Sequence, residues 1–160
     1  MERDLLDKTH MRDRLLDGLG AGFAATLLMT GIVFAIPALG NPALPHEITR
    51  VMHALVDHPL WLAVALSAHL AYGGLAGALY FGGAERVTIG GGVLFGLSLW
   101  GVAVALYAPL IGLGFVSSHR PELALWSLPV HLIYGMALAA FARRGEILQP
   151  LTVGEPSGAR

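Results

Sequence analysis

The sequence predicts an all-α integral membrane protein: a four-helix bundle built from two tandem helical hairpins related by a pseudo-two-fold axis. Three observations predict it. Of 160 residues, 55% are apolar and another 21 are glycine, so about two thirds of the chain is apolar or glycine, against roughly half in soluble domains. Charged residues make up only 13% and cluster at the ends, with nine of 21 in residues 1–17 and five in 143–160. Finally, a short motif recurs, His69-Leu70-Ala71-Tyr72-Gly73 and His131-Leu132-Ile133-Tyr134-Gly135, which share H-L-x-Y-G.

The first element, residues 1–17, puts Leu5, Leu6, Met11, Leu15 and Leu16 partly on one face and reads as a short interfacial helix on the cytoplasmic side. Its acidic Glu2, Asp4 and Asp7 do not suit the n-region of a cleavable signal, so the span that follows is expected to stay as an anchor. A four-span domain occupies 18–143. Stretches without Asp, Glu, Lys or Arg run over 18–46, 58–84, 87–119 and 123–142, and each holds a helix of about 20 residues, enough to cross a hydrocarbon core of about 30 Å. The spans are expected near 19–39, 60–82, 89–113 and 123–142. Helices are chosen over strands because the runs are continuously apolar, and because lipid offers no partner to unpaired backbone groups.

Between the first two spans, residues 46–57 form an amphipathic pattern. Ile48, Val51, Met52, Leu55 and Val56 make an apolar face, opposite His46, Arg50, His53 and Asp57. The last two spans enclose Pro129, which removes a backbone hydrogen bond just before His131 and is expected to bend that helix. Trp61 and Trp126, near helix ends, suit interface anchors. The tail 144–160, with Pro150, Gly154, Pro156 and Gly158, is expected to be disordered.

An even number of spans puts both termini on one side. That side carries Arg3, Lys8, Arg12, Arg14, Arg86, Arg143, Arg144 and Arg160, and the other only Arg50 and Arg120. Basic residues favour the cytoplasm, so both termini are expected there, with the protein in the plasma or inner membrane. The bilayer is the first partner. Four short, glycine-rich helices also suggest a homodimer or a larger membrane complex. His69, Gly73 and Gly77, like His131, Gly135 and Ala139, recur every fourth residue, and so do Gly92 and Gly96; small-xxx-small spacing lets backbones approach closely where lipid provides no hydrophobic drive for association.

Several functions are excluded. A net charge of −1 does not fit nucleic-acid binding, and the absence of cysteine excludes disulfides, thiolate metal sites and covalent c-type haem attachment. There is no G-x-S-x-G and no phosphate-binding loop, since Gly90-Gly91-Gly92 opens a span instead of following a strand. No Asp or Glu lies inside a span, which argues against a proton-coupled transporter. Enzymatic activity of the chain alone is not expected.

The histidines carry what functional signal there is. His69 and His131 lie about 12–14 Å below the outer boundary at 1.5 Å per residue, and an ionisable side chain at that depth faces the bundle interior or a partner. One reading is a single b-type haem held between them, for electron transfer or sensing. Haem iron accepts neutral imidazole axially, Gly73 and Gly135 one turn on would leave room for the ring, Tyr72 and Tyr134 could bond to it, and Arg50 and Arg120 could pair with its propionates. A second reading is structural: each imidazole bonds a hydroxyl or carbonyl across the bundle, with Ser67, Ser98, Thr26 and Thr30 available, in a non-enzymatic accessory subunit of a larger complex. A third is metal or small-solute handling by an outward cluster, His53 and Asp57 one turn apart with His58, His119 or Glu122, although His46-Glu47 lacks the second histidine of H-E-x-x-H.

H-L-x-Y-G in the last span, Met29-Thr30-Gly31 in the glycine-rich first span and the proline-terminated outer ends resemble small four-span membrane proteins of bacteria and archaea to which no activity is assigned. The resemblance covers 18–143 and implies the fold only. The paired histidines are more loosely similar to membrane cytochromes b, which ligate haem between facing helices. One histidine per candidate helix departs from the two-haem type and implies at most one haem.

Overall fold

A computed structural model describes residues 2–35 and 61–147, with side chains described over 10–35 and 63–142. Every described element is helical, and four helices are long and apolar enough to cross a membrane. α1 is Glu2–Ala35, α2 is Trp61–Gly83, α3 is Ile89–Leu110 and α4 is Pro121–Ile147. They overlap the four expected spans; the expected end of the first, at 39, lies outside the described residues, and two other ends differ. The segment expected as a separate interfacial helix is the first part of α1 itself, a helix of 34 residues and so roughly 50 Å long. At the other end, α4 continues to Ile147, so residues 144–147 are helical where a disordered tail was expected. The loop helix expected at 46–57 and residues 148–160 lie outside the described residues.

The two prolines inside spans have different consequences. α3 is α-helical over Ile89–Val102, takes a π-helical turn at Ala103–Tyr107, and ends in one α-turn at Ala108–Leu110. The Ala108 N–H reaches back to the Ala103 carbonyl, a wider loop that sits just where the ring of Pro109 would press on the Ala105 carbonyl of a regular helix. α4, in contrast, remains α-helical through Pro129.

Glycine decides which helices touch. In the first hairpin Gly18 and Gly22 face Gly73 and Gly77 so closely that a Cβ at Gly18 would lie 2.6 Å from the Gly77 carbonyl oxygen, and one at Gly22 would lie 2.9 Å from Gly74 Cα. In the second, Gly92 and Gly96 meet Gly135 and the His131 carbonyl, and a Cβ at Gly92 would lie 2.9 Å from Ala139 Cβ. Backbone-to-backbone packing of this kind supplies the dispersion contacts that hold helices together in lipid. α1 also packs along α4, whereas α2 and α3 share no comparable interface. A two-fold relating the hairpins would make these two interfaces alike, so the expected symmetry does not extend to the contacts between hairpins.

The helices therefore run around the bundle as α2, α1, α4, α3. The ring closes at the end that carries the termini, where only the short connection 84–88 separates α2 from α3. There Tyr80 stacks on Phe95 with ring centroids 4.9 Å apart and its hydroxyl donates to the Thr88 carbonyl at 3.3 Å. Thr88 caps α3 by accepting from Gly91 N–H at 3.0 Å, and the Arg14 guanidinium donates to the Ala84 carbonyl. The core beneath consists of Ala25, Ala76, Tyr80, Phe81, Tyr134 and Leu138. Towards the loop end it thins to Val33 against Val130, with Met29 and Leu123 packed on them. Large apolar side chains face outward elsewhere, Leu79, Leu94, Leu110 and Leu125 among them, as expected where hydrocarbon is the solvent.

The loop between α3 and α4 is tightly bonded and strained. Gly112 and Gly114 take positive φ without cost, but Val116 does so as well, at φ 54° and ψ 34°, where a β-branched residue is held at a cost of about 1–2 kcal/mol. Val116→Gly is expected to stabilise the protein by about 0.5–1 kcal/mol after the added chain entropy of glycine is counted, read as a higher unfolding midpoint in detergent. An unchanged or lowered midpoint would show that contacts of the Val116 side chain outweigh the strain.

Candidate functional site

The two H-L-x-Y-G motifs lie on α2, at 69–73, and on α4, at 131–135. His69 and His131 lie close enough to interact electrostatically, and so do Tyr72 and Tyr134. α2 and α4 share no close backbone interface; the buried Tyr134 spans the gap and donates its hydroxyl to the Gly73 carbonyl at 2.6 Å. That bond closes the gap on the side of the termini, one turn from each histidine.

Each polar group has a distinct environment. Thr26 returns its hydroxyl to the Gly22 carbonyl one turn back at 2.7 Å. His131 Nδ1 lies 2.8 Å from the Ser127 carbonyl, a contact that requires the Nδ1–H tautomer and so leaves Nε2 with its lone pair free. The buried Oγ1 of Thr30 has no hydrogen-bond partner among the described residues. An unsatisfied hydroxyl inside a membrane bundle is costly, since hydrocarbon gives it no alternative partner.

The sequence expectations fare unevenly. Gly73 and Gly135 do adjoin the histidines, but the room beside them is taken. A Cβ on Gly73 would run into Thr26, and one on Gly135 would lie 2.8 Å from the Gly92 carbonyl carbon. Neither glycine leaves space for a macrocycle, and any ring between the histidines must sit in the α2–α4 gap itself. Arg120, expected to face a propionate, forms an ion pair with Glu122. Arg50, His53, Asp57 and His58 lie outside the described residues. His119 Nδ1 contacts the Gly112 carbonyl at 3.1 Å, and no group of three or more His, Cys, Asp or Glu capable of holding a metal occurs among the described residues.

The structure adds partners that spacing did not reveal. Ser127 orients His131 through its backbone carbonyl, for which the side chain gives no signal. Trp100 Nε1–H donates to the Ala124 carbonyl at 3.0 Å and ties α3 to α4 near the loop end. Along the loop-side half of α2, the small side chains of Ala63, Ser67, Ala68 and Ala71, with Val64, leave an open depression of about 530 Å³. Comparison with protein families, with curated proteins and with solved structures returns no match to this chain. The fold is that of a multi-pass α-helical membrane protein, with four helices among the described residues long and apolar enough to cross a bilayer.

Proposed function

We propose that His69 and His131 would hold one b-type haem between α2 and α4, and that the protein is an electron-transfer or sensor subunit. The observation that carries this reading is the pairing of the imidazoles. They are in electrostatic reach of each other, and His131 is turned by its Nδ1–H bond so that Nε2 presents a lone pair. A carbonyl-bonded Nδ1–H is the usual way a protein fixes a metal-binding histidine. With no third protein ligand among the described residues, a tetrahedral zinc site is not completed there. Haem asks the protein for only its two axial positions. Bound there, it would supply one-electron redox chemistry.

The chain's own residues would do the rest. His69 and His131 would supply the two imidazoles, one from α2 and one from α4. Tyr134, bonded to Gly73, holds α2 and α4 at a fixed distance and closes the floor of the site. The apolar faces of α1 and α4, with Met29, Val33 and Val130, exclude water. The test is haem content and the visible spectrum of protein purified from cells supplied with a haem precursor. One haem per chain with a low-spin, six-coordinate spectrum is expected; the lack of a Soret band, including after hemin is added, would overturn the reading.

A second reading, an accessory subunit packed in a dimer or larger complex, draws on Gly20 and Gly31, which meet nothing within 4 Å on the outer side of α1. A defined partner or a second copy recovered in mild detergent, and lost on Gly31→Leu, would support it. A positive-inside orientation, with both termini in the cytoplasm, belongs to either reading.

A further inference from the structure

We propose that the loop between α3 and α4 is a lipid anchor, which inserts Phe115 into the leaflet on the loop side of the bundle.

The loop is bounded by membrane spans at both ends. That of α3 ends at Leu110 and that of α4 starts at Pro121, so the ten residues between them lie at the surface of the bilayer. Apolar residues come first. Leu110 is 83% exposed and Phe115 68%, and they follow the exposed Leu106 of α3, so the apolar surface runs off the helix into the loop. Polar residues come after: Ser118, His119 and the Arg120–Glu122 ion pair. Exposed apolar surface rimmed by polar residues marks an interaction site, and its continuity with the exposed apolar side of α3 makes lipid the partner.

The backbone suits the same place. Irregular chain is tolerated near hydrocarbon only where its polar groups find partners within the protein. From Ile111 to Arg120, seven of ten N–H groups donate to carbonyls of the loop or of the end of α3. His119 N–H returns to the Leu113 carbonyl at 3.0 Å, and its Nδ1 contacts the Gly112 carbonyl at 3.1 Å, so the two arms of the loop are clasped together. Inside the clasp are Val116 and Ser117, both at φ 54°, a left-handed pair that residues other than glycine avoid. Such strain persists where the surrounding structure over-determines it. Here Ser117 is buried while Phe115, two residues earlier, stays outside. A loop in water could hand its N–H groups to solvent and relax; this one is closed on itself with an aromatic ring exposed.

The chain contains no cysteine, so nitroxide labels can be placed singly. Full-length Phe115→Cys is labelled in nanodiscs of zwitterionic lipid, with Leu110→Cys as the lipid reference and Ser118→Cys as the water reference. Electron paramagnetic resonance reads relaxation by oxygen, which concentrates in hydrocarbon, and by a water-soluble nickel chelate. The label at 115 is expected to respond more to oxygen, as at 110, and the label at 118 more to nickel. A label at 115 that prefers nickel as that at 118 does overturns the proposal. So does one that neither reagent reaches, which would put a protein surface over the loop. If Phe115→Cys does not fold, NMR of the wild type decides. The Phe115 ring signals are expected to broaden with nitroxide-labelled lipid and not with the nickel chelate, and the reverse overturns the proposal.

Discussion

Replacing Gly135 by leucine is expected to separate α3 from α4 and to destabilise the protein by about 3 kcal/mol, the upper end of what overpacking costs. The new Cβ would lie 2.8 Å from the Gly92 carbonyl carbon and 3.1 Å from the Gly96 nitrogen. Those are backbone atoms, which cannot rotate away as a side chain would. The helices must part, and the dispersion contacts of the whole glycine interface weaken together. Gly101→Leu is the control. Nothing lies within 4 Å of a Cβ there, and its effect is expected to stay within about 0.5 kcal/mol. Unfolding of both variants in mixed micelles checks the pair, and equal midpoints would mean that the close approach at Gly135 does not hold the second hairpin.

The second large effect concerns the imidazoles. His131→Ala and His69→Ala are each expected to convert a low-spin, six-coordinate haem into a high-spin, five-coordinate one, with a hundredfold fall in affinity or about 2.8 kcal/mol. The double variant is expected to lose the haem altogether. Hemin titration monitored at the Soret band reads both affinity and spin state. Single variants that keep the wild-type spectrum would move the ligands elsewhere in the chain. Neither substitution touches the glycine interfaces by its side chain, so helicity and unfolding midpoint should stay near those of the wild type and separate ligand loss from misfolding.

Much of the fold was legible before the coordinates, for a physical reason: a bilayer admits few solutions, and a 20-residue run without charge has almost no other explanation. The glycine stripes likewise announced close packing at Gly73, Gly77, Gly92 and Gly96. Which stripe meets which was not legible, because small-xxx-small spacing fixes an interface on one helix without naming its partner. The same ambiguity misled the expectation of free space beside Gly73 and Gly135. A glycine in a membrane helix is read equally well as a niche for a ligand or as a seat for another backbone, and here Thr26 and Gly92 take the seats. Helix ends were blurred for a different reason. Polarity marks where a helix leaves the hydrocarbon, not where it stops, so α1 includes the charged residues from Glu2 and α4 runs on past Arg143 and Arg144 to at least Ile147.

In the candidate site the repeated motif singled out His69, His131, Tyr72 and Tyr134, and of these Tyr134 is the one that bonds across from α4 to α2, at the Gly73 carbonyl. What orients them was hidden. The Ser127 contact is made by a backbone carbonyl, which every residue has, and the Tyr134–Gly73 bond depends on an inter-helix register that one sequence does not encode locally. Arg120 shows the converse: it matched a propionate partner by type, yet Glu122 is two residues away and forms the ion pair.

The proposed pairing of His69 and His131 is tested most directly by electron paramagnetic resonance of the oxidised, hemin-loaded wild type, with ¹⁵N-labelled histidine to identify the ligand nitrogens. The expected result is a low-spin signal coupled to two imidazole nitrogens, one lost with His69→Ala and the other with His131→Ala. A high-spin signal in the wild type, or coupling that survives either substitution, would contradict it.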